Sequence, residues 1–336
     1  MKALLVVLAL SVSAVLCYPS KYDEKEWAMI PDGSGRLHLT NIKQLEHEAS
    51  LMPRVETVAR FLLYTRKNPT NAQELYQADS DGLKKSNFDA SRPTRFIIHG
   101  FINDGDSEVN VVVRDAYLAR GDYNVIVVDW STATATINYI YARNEVPVAG
   151  GQCGRFIDFL NTQGVSFNDI YCVGHSLGAH VCGFCGKTAT RGKINTIFGM
   201  DPALPLFDID KPDERLTEND AVYVQSIQTD GGRLGFLKPI GQASFFPNWG
   251  GVQPGCLLDV TGTCSHCRSY KYFAESLKTP DNFVGEKCAS FENIEKMKCT
   301  KEGTADMGGD PSNHNIKGVF YVPVNSKAPY GKGNVF

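Results

Sequence analysis

The chain has 336 residues, 43% of them hydrophobic and 21% charged, an ordinary globular composition. Its formal net charge of −3 gives no electrostatic footing for nucleic acid or for an anionic membrane surface. The length suits one large α/β domain or two small ones.

Met1 and Lys2 open the chain, followed by the unbroken apolar run ALLVVLALSVSAVLC at 3–17. A short positive end before an apolar core too short to span a bilayer comfortably marks a secretory signal peptide. Val15 and Cys17 are small enough for a cleavage site, which places the cut after Cys17. No later apolar run reaches membrane-spanning length, so a secreted, extracellular and soluble protein is expected. Residues 18–52 form a polar, mixed extension with a turn at DGSG (32–35) and no role assignable from sequence.

Strand-type and helix-type stretches alternate beyond that point. TRFIIHG (94–100), NVIVVDW (124–130), DIYCVG (169–174), INTIFGM (194–200) and VYVQSIQ (222–228) read as strands. Helices are expected from Pro147 to Thr162 and from Leu177 to about Thr190. Continuous apolar runs such as FII, VIVV and IYCV suit strands buried on both faces. The pattern implies a doubly wound α/β domain, its central sheet mostly parallel, with helices on both faces.

Cleavage after Cys17 leaves cysteines at 153, 172, 182, 185, 256, 264, 267, 288 and 299, an odd set with at least one unpaired thiol. The C-x-x-C pairs Cys182/Cys185 and Cys264/Cys267 are too far apart for a zinc ribbon, so no metal is expected there. Cys153, Cys172, Cys182 and Cys185 fall on core strands or helices, where free thiols act as small hydrophobes.

Gly174-His175-Ser176-Leu177-Gly178 matches G-x-S-x-G, and it follows a strand and opens a helix, the setting of a nucleophile elbow. The glycines answer a steric need: a Cβ at 174 or 178 would collide with the neighbouring strand or helix. A bare serine hydroxyl is a weak nucleophile and needs a base, with an acid to orient it. In this setting acid and base follow the serine in that order. Asp201 stands at the carboxyl end of the strand INTIFGM, whereas Asp208, Asp210 and Asp220 lie in a charged loop. Asp129, before the serine, reads as structural. Of the later histidines, His180 sits in the elbow's own helix and His314 in the polar loop GGDPSNHN, read as solvated. His266 is held between cysteines just before a helix-type stretch.

GHSLGAH, GMDPALPLF, FFPNWGG, PGC and CSHCRSYKYF together resemble the pancreatic lipase family of animal α/β hydrolases, from about residue 55 to about 324. The resemblance implies an α/β-hydrolase domain over 53–336, with Ser176 as nucleophile, Asp201 as acid and His266 as base. FIIHGF (96–101) resembles the family's oxyanion loop, so the backbone N–H groups of Phe101 and Leu177 would hold the oxyanion, an effect of about 3–4 kcal/mol per donor. No C-terminal β-sandwich is expected after Phe336, hence no colipase partner, and the chain is expected to be a monomer. RLTEND (215–220) resembles a calcium loop, but Thr217 stands where an acidic ligand belongs, so no metal or other cofactor is expected.

The resemblance also implies a lid closed by a Cys256–Cys264 cystine around LLDVTGT, only seven residues, with Leu257, Leu258 and Val260 able to touch lipid. Cys288–Cys299 is the second expected bridge, and Cys267 has no nameable partner. The short lid and the shortened loop before FFPN (245–248) resemble the phospholipase A1 branch and insect lipases. Phospholipid or another acyl lipid at micelle or membrane surfaces is the implied substrate. Triacylglycerol or galactolipid hydrolysis is the alternative within the family. A yolk-protein-like lipid-binding or storage role is the alternative outside catalysis, with the three site residues present as the argument against it.

Overall fold

A strand that is apolar on both pleat faces must be covered from both sides, and the central strands show this residue by residue. In β5 (Thr94–Ile98), Phe96 and Ile98 belong to one buried core and Ile97 to the other. In β6 (Asn124–Asp129), Ile126 and Val128 face the first core, and Val125 and Val127 the second. The computed structural model describes residues 26–31, 36–52, 56–258, 261–300 and 302–336. The proposed signal peptide, its cleavage site and Val260 lie outside the described residues.

The other strands of the main sheet are β3 (Arg60–Tyr64), β4 (Gln73–Leu75), β7 (Ile170–His175), β8 (Thr196–Met200), β9 (Tyr223–Ile227), β10 (Ala243–Pro247), β11 (Val284–Cys288), β12 (Thr304–Asp306) and β13 (Gly318–Val322). They pair in the order β12-β11-β13-β10-β9-β8-β7-β5-β6-β3-β4. From β13 to β6 every pairing is parallel, while β3, β4, β11 and β12 add antiparallel edges. Helices Tyr139–Thr162 and Leu177–Thr188 cover the first face, and Glu108–Arg120 and Thr263–Lys278 the second. The chain therefore has the expected α/β architecture, a mostly parallel sheet with helices on both faces.

Three features depart from the sequence reading. The long helix starts at Tyr139, not Pro147: the Asn138 side chain caps it by accepting from the Tyr141 N–H, and Pro147 is interior at the cost of one backbone hydrogen bond. Residues of the extension fold into a hairpin of β1 (Trp27–Pro31) and β2 (Leu37–Asn41), then a helix Ile42–Leu51. Finally, Cys153 and Cys185 are not free thiols but a disulfide, with Cα atoms 5.4 Å apart.

The cause of that bridge is close helix packing. A Cβ on Gly154 would approach the Cys185 carbonyl oxygen to 2.8 Å, and one on Gly150 would strike Phe184. Only glycine lets the two helices come this near, and the approach carries the two sulfurs together. Cys172 and Cys182 remain free and buried, and Cys267 is free and half-buried. Cys256 bonds Cys264, and Cys288 bonds Cys299.

Candidate active site

The turn between β7 and helix Leu177–Thr188 leaves Ser176 at φ 58°, ψ −125°, a backbone region that side chains avoid. Its surroundings permit nothing else. A Cβ on Gly174 would collide with the Gly178 carbonyl, and one on Gly178 with the Ile98 carbonyl of β5. Ser176 N–H donates to the Met200 carbonyl (3.1 Å), which fastens the elbow to the end of β8.

Asp201 follows β8 directly, with φ 46° and no solvent exposure. Its Oδ1 accepts from the backbone N–H groups of Thr229 (2.7 Å) and Asp230 (3.1 Å), leaving Oδ2 for His266 Nδ1 at 2.5 Å. A Cβ on Gly235 would occupy the carboxylate's space. His266 sits inside the first turn of helix Thr263–Lys278, not before the helix as its sequence context suggested. The left-handed Gly262 at the N-cap starts the helix early enough for His266 N–H to reach the Gly262 carbonyl (2.9 Å).

Burial sets the charges. It pushes the Asp201 carboxyl up to about 7, against the two backbone donors that favour its charged form. It pushes His266 down to about 3, with nearby Arg233 acting the same way, so the imidazole is neutral and able to accept a proton. Asp230 is raised to about 8 by burial and by the charge of Asp201, although Arg233 pairs with it.

The loop after β5 passes directly over the nucleophile: a Cβ on Gly100 would lie 2.7 Å from Ser176 Cβ. Its peptide plane is held by His99, whose Nδ1 bonds the Gly100 carbonyl oxygen (3.0 Å). Trp130 fixes His99 in turn, donating its backbone N–H to Nε2 (3.2 Å) and its indole N–H to the His99 carbonyl (2.9 Å). Since the Gly100 carbonyl and the Phe101 N–H belong to one planar peptide, His99 also aims the Phe101 N–H. Leu177 opens its helix, where an N–H has no intrahelical acceptor. Sequence reading missed His99 and Trp130; the HG dipeptide at a strand end was the available signal.

Ser176, His266 and Phe101 line one cavity of about 360 Å³. Its walls fall into two groups by mutual contact. Phe101 and Tyr139 meet ring edge to face (5.2 Å), and Tyr139 Oη donates to the Pro205 carbonyl (3.2 Å), an apolar group completed by Ala203 and Leu234. The other group is polar: Tyr270 Oη donates to Glu108 (2.6 Å) and packs edge-on to His175 (5.1 Å), whose ring lies 4.4 Å from His266. His175 is buried, and its Nδ1 has no hydrogen-bond partner among the described residues.

Leu257 and Leu258 of the lid are 82% and 97% exposed and are not among the residues that line this cavity. His180 is fully buried, donating Nε2–H to the Ala203 carbonyl (2.8 Å) and accepting the Leu216 N–H at Nδ1 (3.1 Å). His314 is not solvated as expected: it is half-buried, stacked on Tyr223 (4.9 Å) and bonded to Thr196 Oγ1 (3.0 Å). In the RLTEND loop, Lys187 Nζ donates to Asp220 Oδ1 (2.5 Å) and to the Arg215 carbonyl (2.9 Å), while Asp220 Oδ2 takes the Thr217 N–H (2.8 Å). An ammonium group thus occupies the oxygen ligands that a cation would need.

A mostly parallel sheet carrying a serine elbow, an acid after the next strand and a histidine on a later helix defines an α/β-hydrolase fold. A family model described as Lipase matches residues 34–330, and the chain belongs to that family. Pancreatic triacylglycerol lipase of Homo sapiens is 38% identical over 71% of this chain and 56% of its own length. Pancreatic lipase-related protein 2 of Rattus norvegicus is 36% identical over 74% and 58%. A protein named inactive pancreatic lipase-related protein 1, of Mus musculus, is 37% identical over 74% and 58%. The chain spans little more than half the length of these relatives. Relatives named as lipases and a relative named inactive are identical to this chain to a similar degree.

Proposed function

We propose that the protein is a secreted carboxylic ester hydrolase acting on lipids, and that its preferred reaction is phospholipase A1 cleavage at the sn-1 ester. The observation that carries the hydrolase reading is the 2.5 Å Asp201–His266 hydrogen bond at the cavity that Ser176 also lines. Neutral His266 takes the Ser176 proton as Oγ attacks the acyl carbonyl, and Asp201 stabilises the imidazolium that forms. The Phe101 and Leu177 N–H groups hold the oxyanion. His266 then protonates the departing glycerol oxygen, and water repeats the sequence to release the fatty acid from Ser176.

The phospholipid preference is supported by the seven-residue lid, whose leucines are exposed and do not line the cavity, and by the polar wall of Glu108, Tyr270 and His175. An open groove with one polar side accepts a charged head group without first moving a cover. Labelling with a fluorophosphonate should modify Ser176 alone; no labelling would leave a lipid-binding protein. Hydrolysis of micellar phosphatidylcholine, with fatty acid released from sn-1, should exceed hydrolysis of emulsified triolein. A preference for triolein would keep the hydrolase and remove the phospholipase.

A further inference from the structure

We propose that the N-terminal hairpin forms one wall of the acyl-chain site and that Pro31 sets the chain length the site accepts. This rests on the ester-hydrolase reading. Pro31 ends β1, is buried, and lines the same cavity as Ser176 and His266. A two-stranded hairpin is marginal in water on its own, so its place depends on what it leans against. Ile30, 4% exposed, is part of the core that contains Phe101 and Tyr139. The Ile42 N–H donates to the Glu26 carbonyl (2.8 Å), joining helix Ile42–Leu51 to the start of β1. Asn138 Nδ2 donates to the Leu45 carbonyl (3.2 Å), while Asn138 Oδ1 caps the helix that begins with Tyr139. One asparagine therefore couples the hairpin unit to the turn that carries Tyr139.

Pro31 lines the cavity together with its other apolar residues, Phe101, Tyr139, Pro205 and Leu234 among them. The Tyr139 hydroxyl proton is already donated to the Pro205 carbonyl, so this side offers a ligand mainly apolar surface and no free hydroxyl donor from Tyr139. An extended hydrocarbon chain is the part of a lipid that fits such a wall. The strand supplying Pro31 lies before residue 34, where the Lipase family match begins, so this wall is outside the span shared with the family pattern.

The test uses the full chain and p-nitrophenyl esters from butyrate to palmitate. Pro31→Trp should lower kcat/KM for palmitate relative to butyrate by about tenfold or more, and Pro31→Ala should move the optimum toward longer chains. Pro31→Leu, a smaller change, serves if the tryptophan variant does not fold by circular dichroism, and should shift the same ratio as the tryptophan, less far. Equal changes at every chain length, or none, would overturn the inference. Wild-type butyrate hydrolysis and fluorophosphonate labelling report separately on the hydrolase reading, so the two failures are distinguishable.

Discussion

The elbow and the lid are both glycine-flanked turns close to the active-site cavity, and they are built in opposite ways. At the elbow every approach is taken: Gly174, Gly178 and Gly100 each lie where a Cβ would meet backbone or Ser176, and the strained serine is pinned to Met200. The lid is tied by the Cys256–Cys264 bridge, and its leucines project almost wholly into solvent. Reaction geometry tolerates little displacement, so it sits where the fold leaves no alternative conformation. Contact with a variable lipid surface needs no such fixation.

The sharpest break in this contrast is chemical. Ser176→Ala should lower esterase turnover by about three orders of magnitude or more while leaving the melting temperature within a few degrees. His266→Ala should match it, and His314→Ala, a packing residue against Tyr223, should leave turnover close to wild type. Retention of more than a tenth of the activity by the serine variant would displace the nucleophile.

Steric saturation of the elbow predicts the next largest effect. Gly178→Ala drives a methyl into the Ile98 carbonyl of a central strand, and the fold should lose on the order of 3 kcal/mol or more. Gly251, just before the lid bridge, has nothing within 4 Å of its would-be Cβ, so Gly251→Ala should stay within about 0.5 kcal/mol by urea denaturation. Similar costs at the two sites would erase the distinction between the regions.

Much of the elbow was readable beforehand because its chemistry forces residue types: glycines where no Cβ fits, a serine between them, apolar strands on either side. The central parallel strands were readable for the same reason, since burial on both faces demands unbroken apolar runs. What escaped depends on distant partners. Cys153–Cys185 follows from two helices crossing at Gly150 and Gly154, a contact no local pattern encodes. Pro147 mimicked a helix start, but the cap was Asn138. The paired strands Trp27–Pro31 and Leu37–Asn41 are short and part-polar, and a two-stranded pair is marginal in water without a body to lean on. Asp201 and His266 were locatable through the family resemblance; their hydrogen bond needed three strands and a helix to be in place.

A smaller effect concerns pH. His180, on the elbow helix, must be neutral: a second ring proton would oppose the Leu216 N–H at Nδ1. Burial depresses it to about 3 from an ordinary 6.5. The native state then binds fewer protons than the unfolded chain between those values, so the stabilisation is full above about pH 6.5 and is lost progressively toward pH 3. Asp201 and Asp230 act with the opposite sign, since their raised values favour the native state in acid and stability falls as pH rises through about 7 to 8. Because these groups act with opposite signs over the same range, the check is a difference: the stability of His180→Gln relative to wild type should rise by an amount on the order of a few kcal/mol as pH falls from 6.5 to 4. An unchanged difference would free the elbow helix from this constraint.

The lid should give the smallest and most selective effect. Leu257 and Leu258 cost little where they stand, because an exposed apolar side chain neither fills nor opens a core. Replacing both with serine should leave melting temperature and hydrolysis of a soluble short-chain ester unaltered. At a lipid surface the same side chains leave water, and full burial of a leucine is worth about 1.5–3 kcal/mol. Partial insertion by a bridge-constrained loop recovers only a fraction of that, so initial rates on phosphatidylcholine vesicles should fall by a factor of several, through weaker binding. The comparison to make is the vesicle-concentration dependence of the two forms: a shifted half-saturation with equal plateau assigns the leucines to surface contact. Equal curves would mean that the lid, like the elbow, serves only what happens inside the cavity.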